Sequence, residues 1–237
     1  MLPYLAPEII ERILRSLPIW TRLERRDVHN CVAVCKTFAM VGRTILYHCE
    51  ELPAAPDMLR RKLDKWEEHG KDARGYVREL EIEGTDQWIL DIVTHDALHR
   101  IFNIFQHVRA LTIRCCVWYG SATYHSLPQH CALLRSLTVE RIRFESSTTD
   151  LAYLASQCES LVELKVWDCT WIADTTSWEH AAVRRSHLRS VYIVPLRIQD
   201  AWLLGRLVKG AQSTLQEVHV TMRRGQTFIS EYVPVRA

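Results

Sequence analysis

One apolar phrase recurs through most of this chain, and it limits the available folds more than any other feature. Its form is apolar-x-x-apolar-x-apolar. The copies are Val77, Leu80 and Ile82; Val108, Leu111 and Ile113; Leu134, Leu137 and Val139; Leu161, Leu164 and Val166; Leu188, Val191 and Ile193; and Leu215, Val218 and Val220. Their first positions are separated by 31, 26, 27, 27 and 27 residues. A nearly constant step of that size marks a chain of stacked units rather than one closed core. The last two apolar positions of a copy lie two apart, so they share one face of a short strand, and the residues between them face the other way.

The returns between copies carry helical spacing. Leu98, Ile101 and Phe105 precede the second copy, Leu151, Leu154, Ala155 and Cys158 the fourth, and Trp202, Leu203, Leu207 and Val208 the sixth. The expected fold over 77–237 is therefore an α/β solenoid of about six units, with short parallel strands and helical returns, in the manner of the longer leucine-rich repeats. The tail 223–237 has a further alternation at Phe228, Ile229, Tyr232 and Val233. It reads either as a capping strand or as the start of a repeat cut short.

The first 50 residues have a different rhythm. Ile9, Ile10, Ile13, Leu14 and Leu17 make a wide apolar stripe on a helix over 5–17, with Pro7 and Glu8 suited to its first turn. Two more helices are expected, over about 27–35 and 36–47. Three short helices form a small core that needs a neighbour. Leu59, Leu63 and Trp66 then mark a helix within 51–76, expected to link this module to the repeats.

Composition narrows the functional classes. A hydrophobic content of 48% and a charged content of 24% describe a folded chain. The net charge of +2 offers no broad basic field for nucleic acid. No apolar run is long enough to span a membrane, and the N-terminus has no signal-peptide pattern. The eight cysteines are accordingly expected as buried thiols in a reducing cytoplasm or nucleus.

The N-terminal segment carries a family resemblance. Leu5-Ala-Pro-Glu-Ile-Ile-Glu-Arg-Ile-Leu-Arg-Ser-Leu-Pro18, Val32-Ala-Val-Cys-Lys-Thr-Phe-Ala39 and Ile45-Leu-Tyr-His48 resemble an F-box. The whole layout is similar to that of fungal F-box proteins with C-terminal leucine-rich repeats. The resemblance implies docking onto the Skp adaptor of a cullin-RING ubiquitin ligase through Leu5, Pro7, Glu8, Ile9, Ile10, Ile13 and Leu14, with cullin reached through the adaptor. The other reading of the same helix is a cap on the solenoid.

A protein substrate would then meet the outward face of the strands. Arg114, Lys165, Trp167, Tyr192 and His219 are the candidate contacts, with Glu79, Glu81 and Glu83 as an acidic rim. Cys116 and Cys169 fall three residues after the last apolar position of a copy, and Cys131 and Cys158 three before the first, which points to packing. Trp118, Phe144 and Trp171 recur five residues after the last apolar position, as an aromatic ladder would. His95, Asp96 and His99 lack the distant partners of a metal or hydrolase site and suit a solvated helix start. No metal, cofactor or catalytic residue is expected, and the chain reads as a non-catalytic adaptor.

Overall fold

A computed structural model describes residues 6–16, 28, 30–84, 92–93, 95–118, 132–144, 151–152, 155–156, 158–171, 186–196, 198–224 and 227–234. In chain order these contain α1 (Pro7–Ser16), α2 (Lys36–Leu46), β1 (Cys49–Pro53), α3 (Pro56–His69), β2 (Glu79–Glu83), β3 (Ile92–Val93) and α4 (His95–Ile104). Next come β4 (Ala110–Arg114), β5 (Val117–Trp118), β6 (Ser136–Glu140), β7 (Arg143–Phe144), β8 (Glu163–Trp167) and β9 (Thr170–Trp171). The last are β10 (Ser190–Leu196), α5 (Ile198–Gly210), β11 (Glu217–Arg224) and β12 (Thr227–Pro234). The class is α/β.

The main sheet has the order β1-β2-β4-β6-β8-β10-β11-β12. Its first seven strands are parallel, and only β12 runs antiparallel to its neighbour. The repeated phrase sets the register. Leu80, Leu111, Leu137, Leu164, Val191 and Val218 form one row across the sheet, and Ile82, Ile113, Val139, Val166, Ile193 and Val220 form another. All are buried, together with Leu59 and Leu63 of α3, Leu98, Ile101 and Phe102 of α4, and Leu203 and Leu207 of α5. Burying each such side chain contributes about 1.5–3 kcal/mol. A one-residue slip would turn both rows to the other face, so the register is strongly specified.

The sheet begins earlier than the phrase predicts. β1 pairs with β2 so that Leu52 lies beside Ile82 and Glu50 beside Leu80. The expected boundary at residue 50 thus falls inside a strand, and α3 packs its stripe of Leu59, Leu63 and Trp66 against the shared core. Glu50 occupies an apolar column and hides the copy from a sequence reading. Its carboxylate is satisfied by Lys62 Nζ at 2.7 Å and by the indole N–H of Trp66 at 3.1 Å. The Trp66 ring also meets Phe105 and Tyr47 edge-on, with centroids 5.0 and 6.1 Å apart. Arg100 of α4 reaches back to α3, forking onto Glu67 at 2.7 Å and Asp64 at 2.6 Å. Its hydrogen bond holds the Glu67 pKa below the ordinary carboxylate value.

A narrow second sheet, β3-β5-β7-β9, runs beside the C-terminal ends of the main strands. Its register places Trp118 next to Phe144 and Phe144 next to Trp171. The rings of Phe144 and Trp171 stack at 4.1 Å and 9°. The crossings from β4 to β5, β6 to β7 and β8 to β9 use the same turn. Cys115, Arg141 and Asp168 sit two residues past the last apolar position of their copies and have φ of 52, 51 and 48°. Each donates its N–H forward to the residue just past the last apolar position of the next copy: Cys115 to Glu140 O, Arg141 to Trp167 O and Asp168 to Val194 O, at 2.6–3.0 Å. Gly84 holds the equivalent place after β2 and donates to Arg114 O at 2.9 Å.

Pro195 holds that place in the next copy. Its ring fixes φ near −65° and it has no N–H, so it can make neither the left-handed turn nor the forward bond. The chain runs on, β10 extends to Leu196, and its register against β11 shifts between Ile193 and Leu196. This is where proline is tolerated in a sheet. β11 and β12 are both eight residues long and pair from Glu217↔Pro234 to Arg224↔Thr227. The tail alternation is therefore an antiparallel strand at the end of the sheet.

At the N-terminus, α1 and α2 pack through Ile10, Leu14, Val28, Val41, Ile45 and Leu46. Of the helix expected over 27–35, residues 30–32 are helical, and a turn at 33–34 ends them. Gly42 of α2 lies where a Cβ would collide with Val32, so a side chain there would push the helices apart.

Candidate interaction surfaces

The outward face of the main sheet is ordered into rows by the register. Glu51, Glu81, Thr112, Thr138, Lys165, Tyr192 and His219 make one row, and Glu83, Arg114, Glu140, Trp167 and Val194 another. The candidates Lys165, Tyr192 and His219 are thus consecutive in one row. Arg114 and Trp167 lie in the next row, separated by Glu140.

Their side chains interact across the strands. Lys165 Nζ lies 5.5 Å from the centroid of the Tyr192 ring, a cation–π distance, and 3.0 Å from Glu163. Ser136 donates to the same Glu163 carboxylate at 2.6 Å. The rings of Tyr192 and His219 are 5.8 Å apart. Burial, reinforced by a hydrogen bond with Glu217, raises the Tyr192 phenol above its ordinary value. Arg114 sits between two acids, 3.3 Å from Glu81 and 3.1 Å from Glu140. Trp167 is the large apolar residue left exposed on this face, at 40%. The acidic rim is in part matched as well, since Glu79 lies 3.3 Å from the His48 ring.

The N-terminal candidates divide by helix face. Ile10 and Leu14 are buried against α2, at 2% and 0% exposure, so they are core and not contact surface. Ile9 and Ile13, on the other side of α1, are each 43% exposed. Glu8 is exposed and Pro7 half-buried, and Leu5 lies outside the described residues. Val34 and Met40 add exposed apolar surface to the same helical module, at 62% and 52%. Sequence spacing alone could not divide this stripe, because five apolar residues in one helix do not reveal which of them α2 covers.

The thiols of the repeats behave as packing groups, whereas Cys35 is exposed and Cys31 and Cys49 are half-buried, against the expectation of buried thiols throughout. Cys116 and Cys169 are buried, as is Ile142 at the same place in the intervening copy. Cys169 donates weakly to the carbonyls of Val139 and Trp167. Cys158 is buried and its thiol is pushed up to about 12 by desolvation. Cys131 lies outside the described residues. Asp96 falls in the first turn of α4, and His99 hydrogen-bonds Asn103 at 3.0 Å one turn on. Among the described residues no helix is long and apolar enough to cross a membrane, and no His, Cys, Asp and Glu gather as a metal site.

Compared with known proteins, the chain matches no family model and no curated relative.

Proposed function

We propose that this chain is the substrate-recognition subunit of an SCF-type cullin-RING ubiquitin ligase. In this reading α1 and α2 belong to an F-box that docks on the Skp adaptor. The parallel sheet is the strand face of a leucine-rich-repeat solenoid that holds a protein substrate. The chain itself does no covalent chemistry. It raises the local concentration of substrate lysines near a charged conjugating enzyme, in the cytoplasm or nucleus.

The observation that carries this reading is the division of α1. One side is committed to the module through Ile10 and Leu14, and the other leaves Ile9 and Ile13 open for a partner. The test is a pull-down with purified Skp adaptor. Ile9→Asp with Ile13→Asp should abolish capture without unfolding the module. Absence of binding by the unaltered chain, or capture that survives the double substitution, sinks the proposal.

A second reading has its own support. Only Tyr47 and His48 separate α2 from β1, the first strand of the sheet. A module joined so closely suits a cap, and the chain would then be a non-ligase repeat scaffold with an F-box remnant. Skp binding without recruitment of cullin would favour that alternative.

A further inference from the structure

Arg114 and Lys165 on the outward face are paired with carboxylates, whereas among the described residues three arginines at the strand starts have no side-chain partner. One residue before β2, β4, β6, β8, β10 and β11 the chain carries Arg78, Arg109, Arg135, Val162, Arg189 and Gln216. Backbone bonds hold this line in register. The N–H of Arg109 donates to Arg78 O at 2.7 Å, Arg135 to Arg109 O at 2.7 Å, Val162 to Arg135 O at 2.9 Å and Arg189 to Val162 O at 2.8 Å. Arg78 turns its guanidinium back onto the carbonyls of Gly75 and Val77. Arg109, Arg135 and Arg189 are exposed, and among the described residues none of the three has a side-chain hydrogen bond or ion pair.

The small Val162 leaves room between its neighbours. Arg135 and Arg189 border an open groove of about 410 Å³ there, lined also by Glu159, Ser160, His187 and Thr214. Glu159 is the one carboxylate in that lining. Arginines aligned on adjacent strands repel one another, and an anionic ligand would relieve that repulsion. The guanidinium fork is also matched to carboxylates.

We propose that this edge binds an extended acidic segment of a partner protein, laid across the strand starts with its carboxylates toward Arg109, Arg135 and Arg189. From the strand of Arg109 to that of Arg189 is three strand steps, or about 14 Å, which about four extended residues cover. The site is distinct from the Tyr192 and Trp167 face and does not depend on the ligase reading.

The test is fluorescence anisotropy of labelled hexaglutamate with the full chain. Hexaglutamine and a single-stranded hexanucleotide serve as competitors. Hexaglutamate should bind, weaken as salt rises, and lose at least about tenfold in affinity in the triple variant Arg109→Gln, Arg135→Gln, Arg189→Gln. Lys165→Gln, on the other face, should change little. Thermal unfolding checks that the triple variant is folded, and a triple Arg→Glu variant should bind hexalysine instead. No binding of hexaglutamate, a triple variant that binds like the parent, or displacement of the peptide by the hexanucleotide but not by unlabelled hexaglutamate overturns the proposal.

Discussion

The two halves of the main sheet use one phrase and finish it differently. From β4 to β9 each copy ends in a left-handed turn and crosses to the narrow sheet, and from β2 to β9 each bonds forward to its successor. From β10 to β12 no such turn occurs among the described residues, and the strands lengthen and close in a hairpin. The apolar rows are the same in both halves, so burial does not account for the difference. At β10 the difference starts at one residue, since the amide hydrogen present at Gly84, Cys115, Arg141 and Asp168 is missing at Pro195; β11 has an N–H at Met222 and runs on paired with β12. Strand rows specify what stacks, and the residue after them specifies how each copy ends.

The strongest way to break the comparison is to move the proline. Arg141→Pro imposes the ending of β10 on the middle of the sheet, removing the bond to Trp167 O and forcing φ away from 51°. It should cost about 3 kcal/mol or more in denaturant unfolding. A loss under about 1 kcal/mol would show that the turn is incidental to stability.

The next effect concerns the buried thiol that packs just ahead of Leu161. Burial pushes the Cys158 thiol up to about 12 in the folded chain, against an ordinary value of 9.0. The folded form therefore holds its proton more tightly. Its contribution is fully present below pH 9 and is lost as pH rises toward 12, on the order of 2 kcal/mol by pH 11. Cys158→Ala should flatten the alkaline limb of a stability–pH profile relative to the parent. An unchanged slope would remove the thiol as its cause.

Arg141→Gly tests the turn from the other side. Glycine takes a φ of 51° without steric cost, so it should stabilise by about 0.5–1 kcal/mol despite the loss of a half-exposed side chain. Calorimetric melting would show it, and a lower melting temperature would mean that the Arg141 side chain matters more than its backbone. The smallest effect is expected at Trp167. With 40% exposure, Trp167→Ala should shift unfolding by under about 1 kcal/mol while impairing capture of a protein partner. A large loss of stability would return Trp167 to the core.

How much of this was legible follows from which interactions leave a periodic trace. The rows from Leu80 to Val218 and Ile82 to Val220 were readable because burial repeats at a fixed interval. The Phe144 and Trp171 stack left a trace for the same reason. β1 was not readable, because Glu50 replaces an apolar residue and is matched by Lys62 and Trp66 on α3, partners that no local pattern announces. The outward face was located correctly as a set of rows. Its internal pairing of Arg114 with Glu81 and Glu140 was not foreseen, since those partners stand 33 and 26 positions away in sequence. The left-handed turns were likewise invisible, because Cys115, Arg141 and Asp168 share a geometry and not a residue type.

The forward bond has a consequence for how such a chain is made. The amides of Gly84, Cys115, Arg141 and Asp168 all wait for a carbonyl that lies in the copy not yet synthesised. A nascent chain emerging from the ribosome therefore always carries one unfinished turn at its leading end, satisfied only when the next strand arrives. Each of these turns can be completed only after the next strand has been made. At Pro195 the debt ends, because a residue without an amide hydrogen asks nothing of a successor.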